Sequence, residues 1–229
     1  MWETATGGPH LPRFPRIRLG YDGAVTPLRS WRQTAPIVIV SGLPRSGTSM
    51  ALRMLDAGGM PILTDGVRPA DENNVHGYYE LEAVKHLHEG GDTAWLKSAG
   101  GKAVKIISFL LTWLPETYEY RVIFMRRNLD EVVASQHAML AGRGEPVEPA
   151  DGDRLRLIYE RHLGEVARLI ARRACFSVMD LDYRRVLDHP ADEARRIGAF
   201  TGAALDVDAM AAAVDPRQYR SRSIASSSC

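Results

Sequence analysis

The segment at residues 42–49 carries the clearest chemical pattern in the sequence. It reads Gly-Leu-Pro-Arg-Ser-Gly-Thr-Ser and lies between an apolar, β-branched run and a stretch with helical spacing. Glycines in such a turn let backbone N–H groups converge on an anion, and the N-terminus of the following helix adds partial positive charge. The guanidinium of Arg45 adds a full charge and a fork of donors. We therefore expect a phosphate group to be bound by Pro44, Arg45, Ser46, Gly47, Thr48 and Ser49.

This segment differs from the phosphate loop of nucleotide kinases, whose pattern is Gly-x-x-x-x-Gly-Lys-Ser/Thr. The two glycines match at Gly42 and Gly47, but Thr48 stands where that loop has lysine, and the basic residue is Arg45. In kinases the lysine reaches the β- and γ-phosphates and a hydroxyl holds Mg²⁺. The nearest candidate for a second Mg²⁺ ligand is Asp180, which follows a short apolar run. The pattern favours a phosphate group bound without an obligatory metal, and a Mg-ATP-dependent small-molecule kinase is an alternative.

A second basic segment follows another apolar run further along the chain. Residues 121–125 lead through Arg127 into a helical pattern that contains Ser135, eight positions later. Asn128 and Glu131 have the spacing of a helix N-terminal capping box. The two segments together resemble the cofactor-binding motifs of sulfotransferases that use 3′-phosphoadenosine 5′-phosphosulfate (PAPS). The resemblance implies that residues 44–49 bind the 5′-phosphosulfate of PAPS, and that Arg127 and Ser135 bind its 3′-phosphate.

Residues 44–68 are similar in more detail to the tyrosylprotein sulfotransferases. Those enzymes have Pro-Arg-Ser-Gly-Thr-Thr, a helix that ends in Leu-Asp-Ala, and an acidic pair before Thr-Arg. Here the corresponding places hold Leu-Asp-Ala at 55–57 and Asp-Gly-Val-Arg at 65–68. Gly66 replaces the acid that serves as the family's base, and Asp65 matches the neighbouring acid. The resemblance covers about residues 36–202 and is nearest in motif to tyrosylprotein-sulfotransferase-like bacterial sulfotransferases.

The resemblance implies a catalytic set made of Arg45, Asp65, Arg68 and Lys105. Lys105 falls where the tyrosylprotein sulfotransferases have a catalytic lysine, whereas Ile107 stands where the cytosolic sulfotransferases have a histidine. The base of neither group is retained intact. Asp65 is the first candidate for the base, and the alternatives in the acid-rich segment that follows are Asp71, His76, Glu80 and Glu82.

Alternating strand and helix patterns position these residues. Apolar runs predict strands at residues 36–41, 61–63, 102–107, 120–125 and 176–179. Apolar spacing predicts helices after residue 49 up to Gly58, and at 79–89, 108–114, 129–141, 154–173, 191–200 and 205–213. Because strands that alternate with helices form parallel sheets with right-handed crossovers, we expect an α/β fold. With the resemblance, this is a P-loop, three-layer α/β/α, sulfotransferase-like architecture with a mostly parallel central sheet.

Composition sets the wider expectations. The chain has 229 residues and a formal net charge of +1, which predicts no general attraction to nucleic acid or membrane. We expect an N-terminal arm at 1–35, one domain at 36–215 and a flexible tail at 216–229. Two cysteines and the lack of an apolar leader or an 18-residue apolar run favour a cytoplasmic protein. The acceptor is expected to be a small molecule, carbohydrate or peptide; a non-catalytic nucleotide-binding module is a further alternative.

Overall fold

The computed structural model describes residues 35–65, 79–146 and 148–215. The predicted N-terminal arm up to residue 34 and the predicted tail at 216–229 lie outside the described residues, and so do Arg68, Asp71 and His76. Within the described ranges, no helix combines the length and the apolar character needed to cross a membrane.

Four strands form the central sheet: β1 (Ile37–Gly42), β2 (Ala103–Lys105), β3 (Tyr120–Arg126) and β4 (Phe176–Asp182). Their order across the sheet is β2-β1-β3-β4, and each pair of neighbours is parallel. The prediction of an α/β fold around a parallel sheet is therefore confirmed. The short strand predicted at 61–63 is an isolated bridge, in which Ile62 pairs with Ala103.

Seven helices are described: α1 (Thr48–Ala57), α2 (Glu82–Lys85), α3 (Leu129–Gly142), α4 (Pro149–Arg172), α5 (Tyr183–Asp188), α6 (Pro190–Thr201) and α7 (Val207–Ala212). Three 3₁₀ helices accompany them, at Leu87–Glu89, Ala94–Ser98 and Ser108–Trp113. The predicted helix at 79–89 is thus wrong in extent, because this part of the chain forms the single turn α2 and a separate 3₁₀ turn.

Two further helices differ from the sequence prediction: α4 begins earlier than predicted, and α5 was not predicted. The structure begins α4 at Pro149, five positions before the predicted start, because Glu148 and Asp151 form a capping box across the first turn. The sequence analysis did not predict α5, which begins where the Asp182 side chain accepts from the backbone N–H of Arg185. This cap turns the chain directly from β4 into a helix.

The sheet is covered on both faces, which gives three layers. Ile37 and Ile39 of β1 pack in one buried cluster with residues of α3 and α4. Val38 and Val40, which point to the opposite face, pack in a second cluster with residues of α1, α5, α6 and α7. Because all six residues of β1 are buried, this strand is fixed at the centre of the fold. The loops that follow β1 and β3 are therefore held at one edge of a rigid sheet.

Candidate active site

The carboxyl ends of β1 and β3 meet at the point where the strand order reverses. After β1 the chain moves to β2 on one side, and it then returns to β3 on the other side of β1. Loops that leave two such neighbouring strands diverge and leave a crevice, which is the usual ligand site in open parallel sheets. The β1–α1 loop and the β3–α3 loop, which carry the two basic motifs, both open at this crevice.

The β1–α1 loop has a backbone that requires glycine at its end. Gly47 has φ of 102°, and a Cβ atom there would lie 2.5 Å from Cδ2 of Tyr183. Arg45 has φ of 66°, in the left-handed region that non-glycine residues seldom adopt. Backbone strain of this kind persists where the surrounding structure enforces it, and it clusters at binding sites and active sites. The loop therefore has a defined shape rather than that of an ordinary strand–helix turn.

The start of α1 is chemically suited to an anion. Its N-cap is Gly47, which has no capping side chain, and its first turn contains no acidic residue. The hydroxyl of Ser46 is buried, with 1% of the residue exposed, and has no hydrogen-bond partner within the described part of the chain. Buried polar atoms are normally paired. The helix N-terminus, this hydroxyl and the hydroxyl of Thr48 therefore form a donor set that fits a phosphate group.

Arg45 joins the two motifs that the sequence analysis singled out. Its Nε donates to the hydroxyl of Ser135 on α3 at 3.1 Å, across 90 residues of sequence. Nη1 of Arg127 donates to the backbone carbonyl of Arg45 at 3.0 Å. The predicted phosphate-binding residues Arg45, Arg127 and Ser135 are therefore neighbours at one edge of the sheet.

Arg127 is held by two partners that the sequence analysis did not assign to the site. Its Nε donates to Glu131 at 3.1 Å, and both side chains are less than one-tenth exposed. Its guanidinium also lies over the ring of Tyr183, 4.4 Å from the centroid. The capping-box pattern predicted at Asn128 and Glu131 is confirmed for Asn128, which caps α3. The Glu131 carboxylate instead faces Arg127 and Arg184. Tyr183 comes from α5, which the sequence pattern did not reveal.

Lys105 places a second kind of cation beside the start of α1. In the sheet it pairs with Val40 of β1, and its side chain is 13% exposed. Its Nζ lies 3.5 Å from Oγ of Ser49 and 3.9 Å from Oε1 of Glu80. The ammonium group thus links the first turn of α1 to the acidic segment that precedes α2.

The described candidates for the base have different surroundings. Asp65 is exposed, and its carboxylate accepts a hydrogen bond from the backbone N–H of Glu82 near the start of α2. The carboxylate of Glu82 pairs with Lys85 at 2.8 Å and is half exposed. The Glu80 side chain is 20% exposed and lies beside Lys105. Among these three acids, Glu80 forms an ion pair with Lys105, the predicted catalytic lysine.

Asp180, the sequence candidate for a Mg²⁺ ligand, lies in an ion pair. Its Oδ1 accepts from Nε of Arg126 at 2.7 Å, and the Arg126 side chain is 14% exposed. Across residues 35–65, 79–146 and 148–215, no group of three or more His, Cys, Asp or Glu residues is arranged to hold a metal ion. The Arg126 guanidinium therefore lies beside Asp180, where the kinase alternative would require Mg²⁺.

Fold and site together define an α/β protein whose parallel strands end at a basic, hydroxyl-rich crevice. No protein-family model matches the chain, and no curated protein matches it. Among solved structures, the chain is similar to the sulfotransferase domain of the Synechococcus PCC 7002 olefin synthase, with 15% identity, a TM-score of 0.47, and coverage of 82% of this chain and 81% of that one. It is also similar to a sulfotransferase from Alicyclobacillus acidocaldarius, with 15% identity, a TM-score of 0.45, and coverage of 76% and 82%.

A third similar structure is the sulfotransferase domain from the curacin biosynthetic pathway, with 12% identity, a TM-score of 0.44, and coverage of 79% and 83%. At these identities and TM-scores, the similarity concerns the fold alone. Any function must come from the residues of the crevice.

Proposed function

We propose that this protein is a sulfotransferase that moves the sulfuryl group of PAPS to a hydroxyl or amine of an acceptor. The observation that carries the proposal is the pair of hydrogen bonds made by Arg45, one to Ser135 and one from Arg127. They bring together two motifs that resemble those of PAPS-dependent enzymes and that are far apart in sequence. The acceptor class is a small molecule, a carbohydrate or a peptide.

The donor set of the crevice fits the two anionic ends of PAPS. The first turn of α1, the unpartnered hydroxyl of Ser46 within the described chain, and Arg45 would hold the 5′-phosphosulfate. Arg127 and Ser135 would hold the 3′-phosphate. When bound, PAPS supplies an activated sulfuryl group on a phosphate that leaves as part of 3′-phosphoadenosine 5′-phosphate (PAP).

The chain's own residues would act by placement and by charge. Arg45 and Thr48, with the loop amides, stabilise the negative charge that grows on the leaving phosphate, so they bind the transition state more tightly than the ground state. Lys105, beside Ser49, stabilises the charge on the transferring group. Arg68 is a proposed partner for the sulfonate or for an acceptor carboxylate. Positioning and neutralisation of charge dominate such reactions, and no metal is required in this scheme.

Thermal-shift titration tests the ligand. We expect PAP in the presence of EDTA to stabilise the protein by about 2.7 kcal/mol at a hundred times its Kd. For a chain of this size, that is a shift in Tm of about 5–10 °C. Arg45→Ala and Ser135→Ala are expected to weaken PAP binding about tenfold or more, which is about 1.4 kcal/mol or more. Arg168→Ala, which removes an exposed arginine of α4, is the matched control and should leave PAP binding unchanged.

Three other results would contradict the proposal. Stabilisation by Mg-ATP but not by PAP would replace the proposal with the kinase alternative. Binding of PAP with no release of PAP from PAPS, in the presence of a broad panel of phenols, alcohols, sugars and amines, would indicate a non-catalytic module. An equal loss of PAP binding in Arg168→Ala would show that the arginine effects are not specific to the crevice.

A further inference from the structure

A glutamate that the sequence analysis named only as an alternative lies at the best place for acid–base chemistry. Glu80 Oε1 is 3.9 Å from Nζ of Lys105, and the same Nζ is 3.5 Å from Oγ of Ser49 in the first turn of α1. We infer that Glu80 is the general base that removes the acceptor's proton, and that Lys105 orients its carboxylate toward the crevice. The inference rests on the proposed function and names a catalytic residue within that site.

The backbone around Glu80 is held more firmly than a surface loop requires. The carbonyl of Glu80 accepts from the backbone N–H of Asp65 at 3.2 Å and from the hydroxyl of Thr64 at 2.7 Å. A base must be fixed within hydrogen-bond reach of the proton that it removes, so this anchoring favours the assignment. The two bonds connect the segment before α2 to the chain that follows α1.

The residue before Glu80 carries the same kind of strain as the loop. Tyr79 has φ of 47°, and together with Arg45 it makes up the non-glycine residues with positive φ in the described chain. The hydroxyl of Tyr79 donates to Asp56 of α1 at 3.1 Å, which ties this strained turn to the helix. Burial, followed by the charge of Asp56, raises the pKa of Tyr79, so the phenol remains a neutral donor. Strained residues cluster at binding sites and active sites, and here one of them directly precedes Glu80 in the chain.

The other two described acids are more exposed to solvent than Glu80 is. Asp65 accepts the backbone N–H of Glu82 through its carboxylate. Glu82 is half exposed and points to Lys85. Glu80 has one oxygen toward Lys105, while its second oxygen lies 3.5 Å from the half-exposed Lys85.

The chemical step balances with the groups already named. The acceptor O–H or N–H bond breaks, and its proton passes to a carboxylate oxygen of Glu80. The acceptor atom forms a bond to sulfur, and the bond between sulfur and the 5′-phosphate oxygen breaks with its electron pair on that oxygen. Lys105 keeps its proton throughout and offsets the negative charge beside Glu80. The proton on Glu80 is then lost to water, which restores the carboxylate.

The test uses the full chain with PAPS as the probe and the same panel of phenols, alcohols, sugars and amines as acceptors. Release of PAP is measured for wild type, Glu80→Gln, Glu80→Asp and the control Glu89→Gln, which removes an exposed carboxylate of the same segment. We expect Glu80→Gln to slow release by about 10²–10⁴-fold, Glu80→Asp to recover part of the rate, and Glu89→Gln to match wild type.

PAP binding provides the readout that does not depend on turnover. Because Glu80→Gln removes a negative charge beside an anion site, its PAP affinity should equal or exceed that of wild type. A loss of PAP affinity in parallel with the rate would overturn the assignment, since it would show that Glu80 only supports the site. The assignment also falls if Glu80→Gln keeps the wild-type rate, or if Asp65→Asn or Glu82→Gln is the variant that loses it.

The experiments distinguish failure of the proposed function from failure of the role assigned to Glu80. If wild type binds no PAP, the proposed function is wrong. If wild type binds PAP and releases it from PAPS, but Glu80→Gln behaves as wild type does, the function stands and the role of Glu80 falls. If wild type binds PAP but releases none from PAPS in the presence of that panel, catalysis and the base assignment are both rejected.

Discussion

Replacing Gly47 with alanine probes the shape of the β1–α1 loop and its contact with α5. At φ of 102° an L-residue is strained, and its Cβ would lie 2.5 Å from Cδ2 of Tyr183. The backbone strain costs about 1–3 kcal/mol, and displacement of the buried ring costs about a further 1–3 kcal/mol. We therefore expect the free energy of unfolding to fall by about 2–6 kcal/mol, a large part of the usual total of about 5–15 kcal/mol.

A matched control separates the two contributions. Gly59, just beyond the end of α1, has φ of 89°, and a Cβ there meets no heavy atom of the described chain within 4 Å. Gly59→Ala should therefore show the backbone cost alone, about 1–3 kcal/mol. Both variants are measured by urea denaturation with linear extrapolation, and the slopes are compared to confirm that both unfold as wild type does.

Measurement of PAP binding tests whether Gly47→Ala also disturbs the proposed phosphate site. Tyr183 lies under the guanidinium of Arg127 at 4.4 Å, so a ring displaced by Gly47→Ala takes Arg127 out of position. PAP binding should weaken in Gly47→Ala and stay at the wild-type level in Gly59→Ala. Equal destabilisation of the two variants would refute the contact between Gly47 and Tyr183. Unchanged stability in Gly47→Ala would refute the loop geometry itself.

Three further changes test other parts of the fold. Gly164→Ala, inside α4, where a Cβ meets no heavy atom of the described residues within 4 Å, should raise the unfolding free energy by about 0.5–1 kcal/mol in urea denaturation; a loss would indicate an unseen contact. Asn128→Ala removes the side chain that caps α3, and should lower the same quantity by about 0.5–2 kcal/mol; no change would mean that the cap is dispensable. Burial lowers the pKa of His162, which hydrogen-bonds Ser108. The unfolded chain therefore binds the proton more readily, so stability should fall as pH drops below about 6.5. This acid-side slope should flatten in His162→Gln, and an identical slope would contradict it.

The parts of the fold that sequence could predict are those with a local signal. The run Ile37–Gly42 is apolar at nearly every position, and such a run indicates a strand buried on both faces. Gly58 marks the end of α1, and Asn128 marks the start of α3. The order β2-β1-β3-β4 has no local signal, because it depends on which strand edges meet after long crossovers. The starts of α4 and α5 were missed because their caps lie within polar stretches.

At the site, too, the sequence indicated which residues take part but not which contacts they make with residues distant in sequence. The resemblance assigns Arg127 and Ser135 to one phosphate, and the structure adds that Ser135 accepts a hydrogen bond from Arg45. The direction of an arginine side chain depends on partners that are distant in sequence. For Arg127 one of these is Tyr183, which is brought to the loop by the pairing of β3 with β4. The contact between Arg127 and Tyr183 therefore cannot be predicted from the spacing of residues within either motif.

The buried pair of Arg127 and Glu131 shows how a chain of net charge +1 can hold a buried guanidinium at the proposed anion site. A guanidinium that is 8% exposed is costly without a partner, so Glu131 stabilises it, and Arg184 restores positive charge at the carboxylate's other oxygen. The ring of Tyr183 and the carbonyl of Arg45 fix the direction of the same guanidinium. Its orientation is therefore set by folding rather than by the ligand, so binding loses little side-chain entropy. Local placement of a few charges, and not the charge of the whole molecule, accounts for the affinity that we propose.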